Sequence, residues 1–221
     1  MKREEYIMKN IINILKKNKT DILISFIFAF VIALILAANS YAQRVTENIT
    51  QSVVRFHVLA NSDSEHDQSI KLKVRDSVLE AIGERIVLCS DREAAEEFLF
   101  ENKELIKDVA EKTIKENGES YMVSVELSDE YYPVRYYENT EFPPGLYKSL
   151  RVIIGSGEGH NWWCVMYPPL CLNGEAVKQK NSAMLKNTLS DESYEIVVLS
   201  EENNKIPEFK FKVVELLSDL K

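Results

Sequence analysis

Cys164 is the side chain whose type best suits nucleophilic chemistry, with His57 or His160 as the base that would take its proton. Such a reaction needs an exposed thiol acidified by a neighbouring imidazole. Cys164 instead sits in the stretch 161–167 (NWWCVMY), among Trp, Val and Met, where a thiol tends to be inert. His160 and Cys164 are also spaced as metal ligands can be, with Cys171 as a third donor. Structural zinc takes four protein ligands in paired short spacings, and this single sparse set falls short. His66, the remaining histidine, stands at a charged helix entry as a solvated side chain. Asp63, Glu65 and Asp67 offer carboxylates for acid–base work, but acids at a helix start more often cap it and complement its dipole. Gly155-Ser-Gly-Glu-Gly159 lacks the Gly-Lys-Ser/Thr and the following helix that a phosphate loop requires. The residue types therefore predict no catalytic group, no metal and no cofactor.

Binding chemistry is better represented. Neighbouring side chains of a strand point to opposite faces, so one of Trp162 and Trp163 is expected in the core and the other outward. An outward Trp beside the rigid Pro168-Pro169 corner would make an interface anchor. Cover by helices or by the C-terminal residues fits the same pattern. A partner-binding surface is expected first around Arg55, His57, Asn61 and Asp63, and second at the outward member of the Trp162/Trp163 pair.

The elements that must position these residues read as follows. The run 52–60 (SVVRFHVLA) is a strand with apolar residues in both phases, as in a sheet interior. Asn61-Ser62-Asp63-Ser64 is a turn-and-cap cluster, with Ser64 and Asp67 spaced as a capping box. The helix that follows runs to about Ile82 and ends at Gly83. It carries Ile70, Val74, Val78 and Ala81 as one stripe, with Leu72 and Leu79 opposite. Ser90 and Glu93 form a second capping box for a long amphipathic helix that ends at Asn117-Gly118, with a break near Asn102. Strands are then expected over 121–127, 132–137, 147–155 and 161–167, the second short or at an edge because of Pro133. Residues 173–193 carry no clear pattern. Residues 194–199 resemble a strand, and Val213, Leu216, Leu217 and Leu220 mark a closing helix. The predicted class is α+β: an N-terminal signal or anchor helix, then one domain whose mixed or antiparallel sheet of four to six strands is packed by two helices.

Location follows from residues 22–38 (ILISFIFAFVIALILAA), which hold no charge, Pro or Gly. A helix of that length covers about 25 Å, between a signal-peptide core and a full span. The first 42 residues hold six basic and three acidic side chains, leaving 21 basic and 32 acidic in the remainder of a chain with net charge −8. Lys16, Lys17 and Lys19 favour a cytoplasmic arm over 1–21, membrane contact through 22–38 and an exported remainder. Ser40-Tyr41-Ala42 suits signal peptidase, so cleaved and anchored forms both fit. The organisation expected is a tether over 39–51, a signalling domain over 52–171 and an extension over 172–221, part of the same domain. A body this acidic repels nucleic acid, which is excluded as a partner. In an oxidising compartment Cys164 and Cys171 would form a bridge, with Cys89 left over; three small buried thiols fit the residues as well.

Several segments resemble the stage II sporulation protein R family: 55–64 (RFHVLANSDS), Asp67-Gln68 with 71–76 (KLKVRD), Tyr132-Pro-Val-Arg135, Phe142-Pro-Pro-Gly145, 150–155 (LRVIIG) and 161–171 (NWWCVMYPPLC). The resemblance covers about 120 residues, from Val53 to Cys171. It implies a protein exported from the forespore into the space between the septal membranes. There it would activate a membrane-embedded aspartic protease of the mother cell, which processes a sigma-E precursor. It also implies a ligand without catalytic residues. The rival expectations are an exported Cys/His hydrolase and a non-catalytic septal scaffold.

Overall fold

The computed structural model describes residue 3 and residues 18–137, 140–171 and 175–198. Two compact units divide between Arg44 and Val45. The first consists, among described residues, of the greater part of helix α1 (Lys19–Ser52). Its side chains from Leu23 to Leu36 are exposed and, Ser25 apart, apolar, including Phe26, Phe28 and Phe30. The helix is long and apolar enough to cross a membrane and is compatible with a signal or an anchor.

The second unit is α+β. In chain order it contains the last turns of α1, β1 (Val54–Leu59), α2 (Glu65–Ile86), α3 (Arg92–Glu101), α4 (Lys103–Glu116) and β2 (Val123–Tyr132). Then come β3 (Arg135–Tyr137), β4 (Thr140–Phe142), β5 (Gly145–Ile154), β6 (Asn161–Tyr167), α5 (Glu175–Thr188) and α6 (Asp191–Val197). The main sheet has the order β2-β5-β1-β6, and β3 and β4 form a separate hairpin. β1 runs parallel to β5 and antiparallel to β6, and β2 is antiparallel to β5, so the sheet is mixed.

Strand alternation sorts the side chains into two cores. Val54, Phe56 and Val58 of β1 join Leu150, Val152 and Ile154 of β5 beneath Ile70, Val74, Val78, Ile82 and Ile86 of α2. Leu99 of α3 and Ile106, Ala110 and Ile114 of α4 close this side. Removing each large aliphatic side chain from water contributes about 1.5–3 kcal/mol. The opposite face is covered by Val45 and Ile49 of α1, Phe142 of the hairpin, Leu185 of α5, Leu189 just after it and Val197 of α6.

Several elements differ from their sequence patterns. The polar stretch read as a tether is helical and sends Val45 and Ile49, four residues apart, into the second core. α2 continues through Gly83 because burial of Ile82 and Ile86 holds it, and Val87 is its C-cap. α3 is capped by Asp91, not Ser90: the Asp91 carboxylate accepts from Ala94 N at 2.8 Å. Asn102 separates α3 from α4 at the expected break, its side chain donating to the Phe98 carbonyl. β2 runs on to Tyr132, so the strand expected over 132–137 is reduced to Arg135–Tyr137 after Pro133. The strand expected over 194–199 is helix α6 in its described part. Ser190 accepts from Ser193 N, and this cap outweighs the apolar run that follows. The closing helix expected around 213–220 lies outside the described residues, as does the arm expected over 1–21 apart from residues 3 and 18–21.

Candidate functional site

The sheet face away from α2 carries an arrangement that composition does not suggest. Arg55 is fully buried although it occupies β1, because β1 is a central strand covered on both sides. Its guanidinium lies 4.5 Å from the ring centre of Tyr132, 5.0 Å from Tyr147, and 5.3 Å from both Tyr137 and Phe142. Arg55 Nη2 donates to Tyr137 Oη at 2.6 Å, while Nε and Nη1 find no hydrogen-bond partner among the described residues. Four ring faces thus carry much of the electrostatic compensation for a desolvated cation. The hairpin supplies Tyr137 and Phe142, so β3–β4 is the cover over this charge. Burial, the largest influence, pushes the Tyr132 and Tyr147 hydroxyls well above their ordinary range. Tyr132 Oη shares a 2.7 Å hydrogen bond with Ser149 Oγ, and Tyr147 donates to the Pro143 carbonyl.

His57 sits two residues along the same strand and is only 3% exposed. Its Nδ1 donates to the two oxygens of Glu130 at 2.9 and 3.1 Å, and Nε2 is enclosed without a partner among the described residues. Burial raises the Glu130 pKa most strongly. The hydrogen bond and charge of His57, with Arg151 and Ser149, outweigh it and leave the carboxyl below its ordinary value of 4.5. Arg151 then links Glu130, at 3.5 Å, to Glu126, at 3.1 Å. The result is an ion network across β1, β5 and β2. An imidazole oriented by a carboxylate is the geometry of a general base, but this one is buried and has no free thiol or hydroxyl bonded to it among the described residues. The sulfurs of Cys164 and Cys171 are joined, with Cα atoms 5.8 Å apart, so Cys164 presents no thiol. Cys89 is free and half-buried, and burial raises its pKa, away from the reactive thiolate.

Arg55 and His57 are therefore not parts of an open surface, contrary to the surface expected around them. Asn61 and Asp63 lie nearer to solvent, and both tie the loop after β1 to the loop after β5. Asn61 Nδ2 donates to Asp67 Oδ2 at 3.0 Å, Asn61 Oδ1 accepts from Ser156 N at 3.0 Å, and Ser156 Oγ donates to the Asn61 carbonyl. Asp63 accepts from both the backbone N and Nδ1 of His160. Buried Lys71 closes the junction, donating to Gln68 Oε1 and to the His160 carbonyl at 2.9 Å. Glycine is required twice here: a Cβ at Gly155, where φ is +58°, would collide with the Asn61 amide, and one at Gly159 with the Ser62 carbonyl.

Trp162 and Trp163 do point to opposite faces, yet neither stands clear in solvent. Both are half-buried, and each has an arginine over its ring: Arg75 lies 4.9 Å from the Trp162 centroid and Arg135 3.9 Å from that of Trp163. Trp162 packs edge-on against Phe56, and Trp163 against His57 and Tyr132. Arg135, Trp162 and Trp163 line a groove of about 420 Å³ with His160 and Asn161. Glu130, Arg75 and Arg135 thus belong with the expected residues although none of them was expected at the binding surface. Glu130 fell between the two strands expected there and shares the Tyr132 face only because β2 is continuous to Tyr132, while Arg75 and Arg135 stand in the segments 71–76 and 132–135 that carry the family resemblance without being marked as partners of the tryptophans. Among the described residues no group of three or more His, Cys, Asp or Glu is placed to hold a metal ion.

Comparison with known proteins adds what geometry cannot. The family model described as Stage II sporulation protein R matches residues 50–203. The protein named Stage II sporulation protein R from Bacillus subtilis (strain 168) is 33% identical over 180 residues, covering 76% of this chain and 80% of that protein. No solved structure matches the chain.

Proposed function

This chain belongs to the stage II sporulation protein R family, and from that premise we propose that it is an exported signalling ligand that activates a membrane-embedded aspartic protease. The family gives it a role in sporulation. The proposed action is to bind the exposed part of that protease in the space between the septal membranes, so that a sigma-E precursor is processed on the other side. The chain is a ligand here and performs no chemistry of its own.

The reading is carried by the pairing of an apolar stretch at 22–38 with a body in which the side chains singled out for chemistry or binding are committed to its own architecture. Cys164 is bonded to Cys171, His57 is sealed against Glu130, and Asn61 and Asp63 hold two loops together. A ligand can shift a partner's equilibrium only by its difference in affinity for the two states. The active form of the protease must therefore bind this body more tightly than the inactive form.

Vesicles holding the protease and its precursor test the proposal when the full chain is supplied on the opposite face. Processing should depend on the added chain and should survive Cys164→Ser in any preparation that remains folded. Processing that proceeds equally without the chain would overturn the reading. So would complete loss in a folded Cys164→Ser protein, which would point to a thiol enzyme.

A further inference from the structure

The groove beside Trp162 and Trp163 has a position that matters more than its volume. Adjacent residues of a strand project to opposite faces, so a cavity lined by both tryptophans and by Asn161 must lie along the strand's rim. β6 is the last strand of the sheet, so this rim has no neighbouring strand among the described residues. Farther along β6 the rim is occupied by the chain itself: the Val165 carbonyl accepts from Leu170 N at 3.1 Å and from Cys171 Sγ at 2.8 Å. A carbonyl at Val165 that turns away from β1 fixes the phase of the strand. The backbone groups of Trp163 and Asn161, two and four residues back in regular register, turn the same way. At that open rim Arg135 lies over Trp163 and has no carboxylate partner among the described residues, within a chain of net charge −8. Trp163 Nε1, by contrast, is buried behind the rim, without a hydrogen-bond partner among them.

We propose that the outer rim of β6 from His160 to Trp163 is a docking edge for an extended, acidic peptide segment of a protein partner. That segment would pair with the outward backbone groups of Asn161 and Trp163 and set a carboxylate against Arg135. Backbone pairing supplies sequence-independent affinity, and the charge and the tryptophan faces select the side chains. The inference deepens the ligand reading by giving the surface and the chemistry of what meets it.

The two tryptophans of the chain both line this groove, so intrinsic fluorescence reports on it directly. Full-length protein in detergent micelles should be titrated with three synthetic peptides: alternating Val-Glu, alternating Val-Lys, and Val-Glu interrupted by proline. The Val-Glu peptide should bind saturably and protect the Trp163 amide from hydrogen exchange, and the proline peptide should not. Arg135→Glu should weaken Val-Glu binding at least about tenfold and admit the Val-Lys peptide. The proposal is overturned if the Val-Glu peptide fails to bind, if it binds without protecting Trp163, or if Arg135→Glu changes nothing. It is equally overturned if the Trp163 amide is already protected in the free protein, which would put residues 199–221 or a second copy on the rim. The vesicle assay separates this inference from the ligand reading. If wild type and Arg135→Glu drive processing equally, the docking edge falls and the ligand survives. If wild type drives none, the ligand falls and the peptide titration alone decides the edge.

Discussion

Arg55 shows how aromatic rings can help to keep a charge inside a small domain. Its guanidinium is planar and weakly hydrated, so four rings can share it, whereas a lysine ammonium at the same place would lose a strong hydration shell. Arg55→Lys should therefore cost about 3 kcal/mol and Arg55→Met about 1 kcal/mol, despite the retained charge in the first. Urea unfolding of the full chain in micelles, followed by tryptophan emission, measures both; a lysine variant as stable as wild type would remove the aromatic cage from the account. Glu130 belongs to the same scale. Its folded-state pKa is depressed, so its contribution is complete above the unfolded value and is lost as pH falls through the folded one. Glu130→Gln should destabilise by about 1 kcal/mol at neutral pH, and the gap should close as pH falls below 4.5. A gap that stays constant across that range would mean the carboxylate is not held by His57 and Arg151. Neither role was legible from sequence, because the alternation of β1 gives a side chain's phase and not what covers that phase. The rings around Arg55 come from β2, β5 and the hairpin.

Among the elements, those with an unambiguous period were read well. β6 has its expected bounds, and α2 buries the stripe of Ile70, Val74 and Val78. Misreadings arose where two signals competed. Ile196-Val197-Val198 is a β-like run, but Ser190-Asp191-Glu192 is a helix start, and α6 formed. Ser90 and Glu93 have capping-box spacing, yet the Asp91 carboxylate reaches Ala94 N first. Asp91→Ala should accordingly lower the unfolding temperature clearly, and Ser90→Ala hardly at all. Thermal unfolding of the two variants separates the caps, and a larger loss from Ser90→Ala would restore the capping box. Gly83 was misread for a related reason: a glycine permits a helix to stop, but burial of Ile82 and Ile86 decides that it does not.

At the scale of the whole molecule, the chain pairs a helix able to enter a membrane with a mixed-sheet body that is strongly acidic. The α+β class was legible because it rests on the order of locally patterned strands and helices, which needs no tertiary information. The second core was not, since its cover comes from segments far apart in the chain: Val45 and Ile49 of α1, the hairpin, and the last two described helices. The account depends above all on which side of the membrane the body from Val45 onward occupies. A protease added to the outside of intact cells expressing the full chain, with an epitope fused after Lys221, measures this directly. The account predicts that the epitope is digested while cytosolic markers survive. An epitope that stays intact until the cells are lysed would put the body in the cytosol and contradict the proposed signal.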